Sequence, residues 1–321
     1  MKAIVYTKYG TPEVLRLQEV PQPVPREDEA LVAVRAASVN SWDWDLLRGV
    51  PALLRVAKPQ HPILGADIAG TVVAVGRKTG RLQPGDEVFG DLSGCGWGGF
   101  AEYVCAREEV LAPKSPGMTF EQAAAIPQAG VLALQGLRDK GRIRGGHQVL
   151  VNGAGGGVGT FAVQLARSFG AEVTGVDRAD KLPLLRSLGA HRVIDYALED
   201  FTLGGPRYDV VLDVAARHSA FQYSRALNPG GSCVIVGGSG AAVFQALLFG
   251  PWISLTAGKR IGLLLHRPNR GDLEFLRESF EAGAARPVID RSYPLSEVAE
   301  ALRYLGEGRA KGKVIITVGH D

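Results

Sequence analysis

The segment QVLVNGAGGGVGTFAVQLARSFGAEVTGVD, residues 148–177, decides the fold. Val149, Leu150 and Val151 make a short apolar run of the kind that forms a buried parallel strand. Residues 152–159 follow as a glycine-dense turn, with glycine at four of the last five positions. Val158, Ala162, Leu165, Ala166 and Phe169 then recur at helical spacing, which turns one apolar stripe back towards a sheet. Gly170 stops that helix, and residues 173–176 read as a second buried strand ending at Asp177. The unit is strand, glycine turn, helix, strand.

A turn of this shape suits a pyrophosphate. Glycines let the backbone approach the anion closely, and the N–H groups and positive dipole end of the following helix hold it. Gly153, Gly156, Gly157, Val158 and Gly159 are the expected contacts, with Gly159 expected to let the helix pack on the strand. A glycine pattern alone is weak evidence. It gains force here by following a strand, opening a helix and preceding a strand that ends in an acid. The competing reading is a structural glycine turn without a ligand.

The length of 321 residues points to two domains, each with enough apolar content for a core. A net charge of +3, with no basic run, gives no reason to expect nucleic acid as a partner. Cys95, Cys105 and Cys233 are few, odd in number and without paired spacing, so free buried thiols in a reducing cytoplasm are expected. Residues 2–9 are too short and polar for a signal peptide. The long uncharged run at 239–257 is interrupted by Gln245, Gly250, Pro251 and Ser254, so it reads as a buried or subunit-facing helix and no membrane partner is expected.

Residues 1–121 look mostly β. Strands are expected at 3–6, 15–20 and 30–37, a strand pair at 65–76, a Pro-Gly-Asp turn and strand within 82–89, and further strands at 101–104 and 110–113. From Thr119 the texture turns helical, with helices at 121–126 and 131–138. A helix at 181–188 and apolar strands at 193–196, 208–214 and 233–236 continue an alternation that means a parallel, doubly wound sheet. An edge strand at 261–265, a helix at 272–281 and a final strand at 314–318 close the chain.

Several segments together carry a family likeness. MKAIVYTKYG (1–10), SVNSWDWDLLRG (38–49), LGADIAGTVVAVG (64–76), PGDEVFG (84–90), GGGVGTFAVQLAR (155–167), LGAHRVIDY (188–196) and GKVIITV (312–318) resemble the zinc-independent quinone oxidoreductase branch of the medium-chain dehydrogenase/reductase superfamily, in order and over nearly the whole chain. The resemblance implies an α/β protein: a GroES-like β-rich catalytic domain from 1–121 and 268–321, and a Rossmann doubly wound parallel-sheet domain from 122–267. It implies a nicotinamide cofactor and a small hydrophobic carbonyl or quinone substrate in a cleft between the domains. It also implies a homodimer, with the strand at 261–265 pairing across a two-fold axis. Tyr196, Val214, Gly237 and Lys313 join the cofactor-binding set through this likeness.

Zinc-dependent relatives place a Cys in the first of these loops and a His-Glu pair after the glycine of the next, where this chain has Asn40 and Ala66-Asp67. A catalytic zinc needs three Cys, His or carboxylate ligands, so no metal is expected. Without that Lewis acid the acceptor must already be activated, which favours NAD(P)H-dependent hydride transfer to a quinone or an α,β-unsaturated carbonyl. Asn40 is the first candidate for positioning substrate or ribose, against a turn-forming Asn that bonds its own backbone. Asp43, Trp44 and Asp67 complete the catalytic candidates: Trp44 as cleft wall or core, Asp43 as a group that pairs with Arg48, Asp67 as a buried acid for support or proton transfer. Residues 52–55 and 244–252 are further wall candidates. An alcohol or carbonyl oxidoreductase, and a catalytically silent NAD(P)H-binding protein, are the competing functions.

Cofactor choice is divided within the sequence. Asp177 stands near the spacing of the acid that bonds the ribose 2′-hydroxyl in NAD enzymes, whereas Arg178 and Lys181 suit the 2′-phosphate of NADPH. A phosphate dianion about 5 Å from Asp177 at an effective dielectric of about 20 meets repulsion on the order of 6 kcal/mol, which a nearby cation offsets. The outcome depends on where Asp177 points. Leu132 and Ala215-Ala216 depart from the family pattern at positions expected near the cofactor.

Overall fold

A computed structural model describes residues 1–50 and 58–320. The chain divides into two compact units, one of residues 1–128, 268–281 and 287–321, the other of residues 129–267 and 282–286. Residues 52–55 lie outside the described residues.

The first unit is built on a seven-stranded sheet. Its main path runs Ile289–Pro294, Lys313–Thr317, Glu29–Val39, Asp67–Val75, Glu87–Asp91, Leu111–Pro113, and Tyr103–Arg107 also pairs with Glu29–Val39. Lys2–Val5 and Arg16–Glu19 form a separate hairpin. Alternating burial along Tyr103–Arg107 and near-continuous burial along Glu29–Val39 mark an outer and a central strand. Residues 65–76 hold one strand, not the expected pair. Gly70 is no turn residue: a Cβ there would stand 2.1 Å from the Ala33 carbonyl oxygen, so its glycine serves close approach of the neighbouring strand. The first unit runs past residue 121 to Gln128, because helix Phe120–Ala124 packs on this sheet and the Gln128 N–H donates to Asp67. The final strand also belongs here: Lys313–Thr317 lies between Ile289–Pro294 and Glu29–Val39.

In the second unit six strands run parallel in the order Arg192–Asp195, Glu172–Asp177, Gln148–Asn152, Tyr208–Asp213, Leu227–Ile235, Arg260–Leu263. Successive strands go outward one way from Gln148–Asn152 and then the other way from Tyr208–Asp213. The order reverses between those two strands, and in such sheets ligands bind beyond the carboxyl ends at that point. Helix Gly157–Ser168 buries Ala162, Leu165 and Ala166 of the expected stripe, leaves Val158 and Phe169 half-buried and also buries Phe161 and Val163, and Gly170 leaves it with φ +78°. Arg260–Leu263 is the sheet's edge strand.

Helix Gly240–Ala257 is buried along one face only, so of the two expected readings, buried or subunit-facing, it is not the fully buried one. Ala242, Ala246, Gly250 and Ile253 face the core, and a Cβ on Gly250 would meet the Ile261 carbonyl at 2.4 Å. Its other face exposes Phe244, Leu247, Leu248, Trp252 and Leu255. By length and composition alone the helix is long and apolar enough to cross a membrane. Only Cys233 of the three free cysteines is buried; Cys95 and Cys105 are half-buried, contrary to the expectation for all three.

Candidate active site

The second unit holds a cradle at the sheet's reversal point. Gly153 takes φ +76°, a conformation that L side chains rarely adopt. Gly156 is the N-cap of helix Gly157–Ser168 and has no side chain to cap it, so the first N–H groups of the helix are left for an anion. Gly159 is required for a different contact from the one expected. A Cβ there would stand 2.2 Å from the Gly153 carbonyl and 2.5 Å from Ala154 Cα, so it lets the helix close on the turn itself. A pyrophosphate fits this construction, since five of the seven residues at 153–159 are glycine and the turn presents mainly backbone.

Val214 and Gly237 gather at the same sheet end as Gly153. The Val214 N–H donates to the Asn152 carbonyl at 3.0 Å, a Cβ on Gly153 would contact Val214 and Ala215, and a Cβ on Gly237 would lie 3.4 Å from the Val214 carbonyl. Beneath them is a buried polar bridge that the sequence reading missed. Asn152 Nδ2 donates to Asp213 Oδ1 at 2.9 Å, the Ala215 N–H donates to the same oxygen at 2.9 Å, and the Tyr223 hydroxyl donates to Asp213 Oδ2 at 2.7 Å. Burial raises the Asp213 carboxyl above the ordinary range, opposed by these donors. The one signal available was a polar residue ending each of two apolar strands.

Asp177 points at the glycine turn. Its Oδ2 accepts the Gly155 N–H at 2.7 Å and its Oδ1 accepts the Arg178 N–H at 2.8 Å. The Lys181 ammonium stands 3.8 Å from Oδ1, both side chains being less than a tenth exposed. The Arg178 guanidinium is turned to Asp180, with Nε 3.2 Å from Oδ1. Tyr196 follows strand Arg192–Asp195 and is 55% exposed, its N–H donating to the Asp177 carbonyl.

The first unit holds Asn40 and Asp67 in one buried cluster, and strand register explains why. Ser38 is opposite Asp67, Asp67 is opposite Asp91, and Val39 is opposite Val314, which brings Asn40 and Lys313 beside them. Asp67 Oδ2 accepts from Ser38 Oγ at 2.9 Å and Asn40 Nδ2 at 3.0 Å, while Oδ1 accepts the Gln128 N–H at 2.9 Å. The Lys313 ammonium donates to Asn40 Oδ1 at 2.6 Å, Asp67 Oδ2 at 3.3 Å and the Val39 carbonyl at 3.5 Å. Burial raises the Asp67 carboxyl, and the Lys313 charge opposes that rise. Lys313 thus keeps company with Asn40 and Asp67.

Asn40 caps helix Ser41–Leu47 with its backbone and turns its amide inward to Asp67 and Lys313. Asp43 closes that cap: its carboxylate accepts the Asn40 N–H at 2.8 Å and the Gly65 N–H at 2.9 Å. Burial pushes Asp43 up to about 7, with the two N–H donors pulling the other way. Trp44 is half-buried against Gly306, where a Cβ would strike its ring at 2.5 Å, and the Arg48 guanidinium lies 5.3 Å from its centroid. Asp43 and Trp44 therefore hold the loop that carries Asn40. Among the described residues no group of three or more His, Cys, Asp or Glu is placed to hold a metal ion.

Comparison with known proteins gives two family signatures, an alcohol dehydrogenase GroES-like domain over residues 26–116 and a zinc-binding dehydrogenase over residues 188–316. The chain is 35% identical to a 2-methylene-furan-3-one reductase of Solanum lycopersicum, over 98% of this chain and 79% of that one. It is 33% identical to a chloroplastic NADPH-dependent alkenal/one oxidoreductase of Arabidopsis thaliana, with the same coverage. The solved quinone oxidoreductase of Coxiella burnetii superposes with a TM-score of 0.89 at 31% identity, covering 99% of each chain.

Proposed function

This chain belongs to the quinone oxidoreductase branch of the medium-chain dehydrogenase/reductase superfamily, and from that premise we propose how its own residues serve the reaction. It is an NAD(P)H-dependent oxidoreductase that transfers hydride to a quinone or an α,β-unsaturated carbonyl compound. The observation that carries the reading is the turn from Gly153 to Gly159, open to a pyrophosphate and closed to any Cβ at Gly159. The bound nicotinamide supplies the hydride.

The chain's part is to bind, orient and stabilise. The N–H groups at the start of helix Gly157–Ser168 take the pyrophosphate, and Asp177 takes the adenosine ribose hydroxyls. Asn40 has a second amide hydrogen beyond the one given to Asp67, and that hydrogen serves the carbonyl oxygen on which charge gathers. We propose that this works without zinc. The positions of the relatives' ligands are taken by an amide, a methyl group and a carboxylate already held by Lys313.

NADH is the proposed preferred cofactor. Arg178 is committed to Asp180 and Lys181 to Asp177, so a 2′-phosphate would have to share both cations with carboxylates. The partner we propose is a second copy of the chain. Among the described residues Arg260–Leu263 leaves one edge of its sheet unpaired, and helix Gly240–Ala257, packed on that strand through Gly250, exposes an apolar face; a second copy docked there covers both. Free thiols fit the cytoplasm as its location.

The deciding experiment follows reduced-nicotinamide absorbance with chelator-treated protein, NADH and NADPH in parallel, against a simple quinone and an enone. Consumption with either acceptor supports the reading, and consumption restored only by added zinc removes the metal-free part of it. Binding of the nicotinamide without consumption replaces it with a nucleotide-binding protein.

A further inference from the structure

We infer that Lys313 is a positioning residue that acts through Asn40: its buried ammonium fixes the direction of the Asn40 amide and so of the hydrogen offered to the acceptor. This rests on the role given to Asn40 above. The three hydrogens of an ammonium match the three oxygens around it, Asn40 Oδ1 at 2.6 Å, Asp67 Oδ2 at 3.3 Å and the Val39 carbonyl at 3.5 Å. Lys313 is 2% exposed and Asp67 is fully buried, and the three acceptors leave the ammonium no further donor for a cofactor atom. A cofactor contact, the role implied by family likeness, does not fit that geometry.

The amide itself supplies the second argument. With Oδ1 on the ammonium and Nδ2 on the carboxylate, both ends of Asn40 meet the opposite charge. Turning the amide over would set NH2 against NH3⁺ and oxygen against carboxylate, two repulsive contacts in a buried place. One orientation is therefore locked. Asp67 alone would hold the Nδ2 end but leave the oxygen end unmatched, and Lys313 alone would bury an unpaired charge. The two charged groups come from strands far apart in sequence and act on one side chain.

The test uses the full chain with Lys313→Met combined with Asp67→Asn, which removes both buried charges together, and Lys313→Arg as the charge-keeping variant. Three quantities are read: kcat, KM for NADH, and hydrogen exchange of the Asn40 side-chain amide by nuclear magnetic resonance. The double variant should keep KM for NADH within about twofold, lose roughly 10- to 100-fold in kcat, and exchange the Asn40 amide about tenfold faster, as expected when a reacting group is misplaced. Lys313→Arg should retain amide protection and recover part of kcat, and it carries the test if the double variant does not fold. A tenfold rise in KM for NADH at unchanged kcat overturns the inference in favour of direct cofactor contact. Unchanged kcat and exchange overturn it in favour of a merely structural pair. If the wild type reduces neither acceptor, the role assigned to Asn40 falls, while the exchange measurement still decides whether Lys313 orients the amide.

Discussion

Asp177 is the side chain on which the proposed preference for NADH rests. Its carboxylate is tied to the turn through Gly155 and balanced by Lys181, so its charge stays where the ribose is expected. Replacing Asp177 with Ser removes the repulsion and frees Lys181, and the ratio of kcat/KM for NADPH over NADH should rise tenfold or more, about 1.4 kcal/mol or greater. A ratio that does not move would show that neither group reads the 2′ position. Asp43 gives a prediction in pH. Burial pushes its carboxyl up to about 7, so between about 4 and that value the folded chain keeps a proton that the unfolded chain has lost. This contribution to stability is complete below the unfolded value and is lost as pH rises through the folded one. Urea unfolding at pH 5.5 and 8 should therefore show a larger fall in stability for the wild type than for Asp43→Asn. Equal falls would mean that Asp43 titrates as it does in water.

At the scale of elements, helix Gly240–Ala257 carries the clearest unfinished surface. Its inner face is held by small residues against strand Arg260–Leu263, with Gly250 closest, while Leu255 is 87% exposed and Phe244, Leu247, Leu248 and Trp252 extend the same apolar face. Burying such side chains stabilises an association by about 1.5–3 kcal/mol each before the costs of association are met. The wild type should sediment as a dimer. Leu248→Glu with Leu255→Lys should sediment as a monomer, with little change in the unfolding of the chain because both side chains are exposed. A monomeric wild type would leave the face to another partner. Elements also show the limit of pattern reading. The period of the apolar residues located helix Gly157–Ser168 to within two residues at each end. The sequence pattern assigns neither helix Ser41–Leu47 nor helix Val298–Gly306: Ser41–Leu47 is short and mixed in polarity, and Val298–Gly306 is a short amphipathic stripe between the helix expected at 272–281 and the strand expected at 314–318.

Over the whole molecule, one unit holds the proposed dinucleotide cradle and the other the Asn40 cluster. Adding NADH at about 100 times its dissociation constant should stabilise the chain by about 2.7 kcal/mol. Hydrogen exchange should slow at residues 153–160 and 177–181; if it slows elsewhere and not there, the cradle is misassigned. The amino-acid sequence by itself determined the strand, glycine turn, helix and strand of residues 148–177, the alternation that makes a parallel sheet, and the want of zinc-ligating side chains at Asn40 and Ala66. These are local matters: a glycine's backbone freedom, a period of 2 or 3.6, and the chemistry of a residue type are carried by neighbours in the chain. Only the tertiary structure decided where Asp177 points, that Asp213 and Asn152 bridge the reversal point from 61 residues apart, and that Lys313 reaches Asn40 across 273 residues. Such meetings are set by the register of distant strands, and register follows from how a whole sheet packs its faces, which no single stretch of sequence contains.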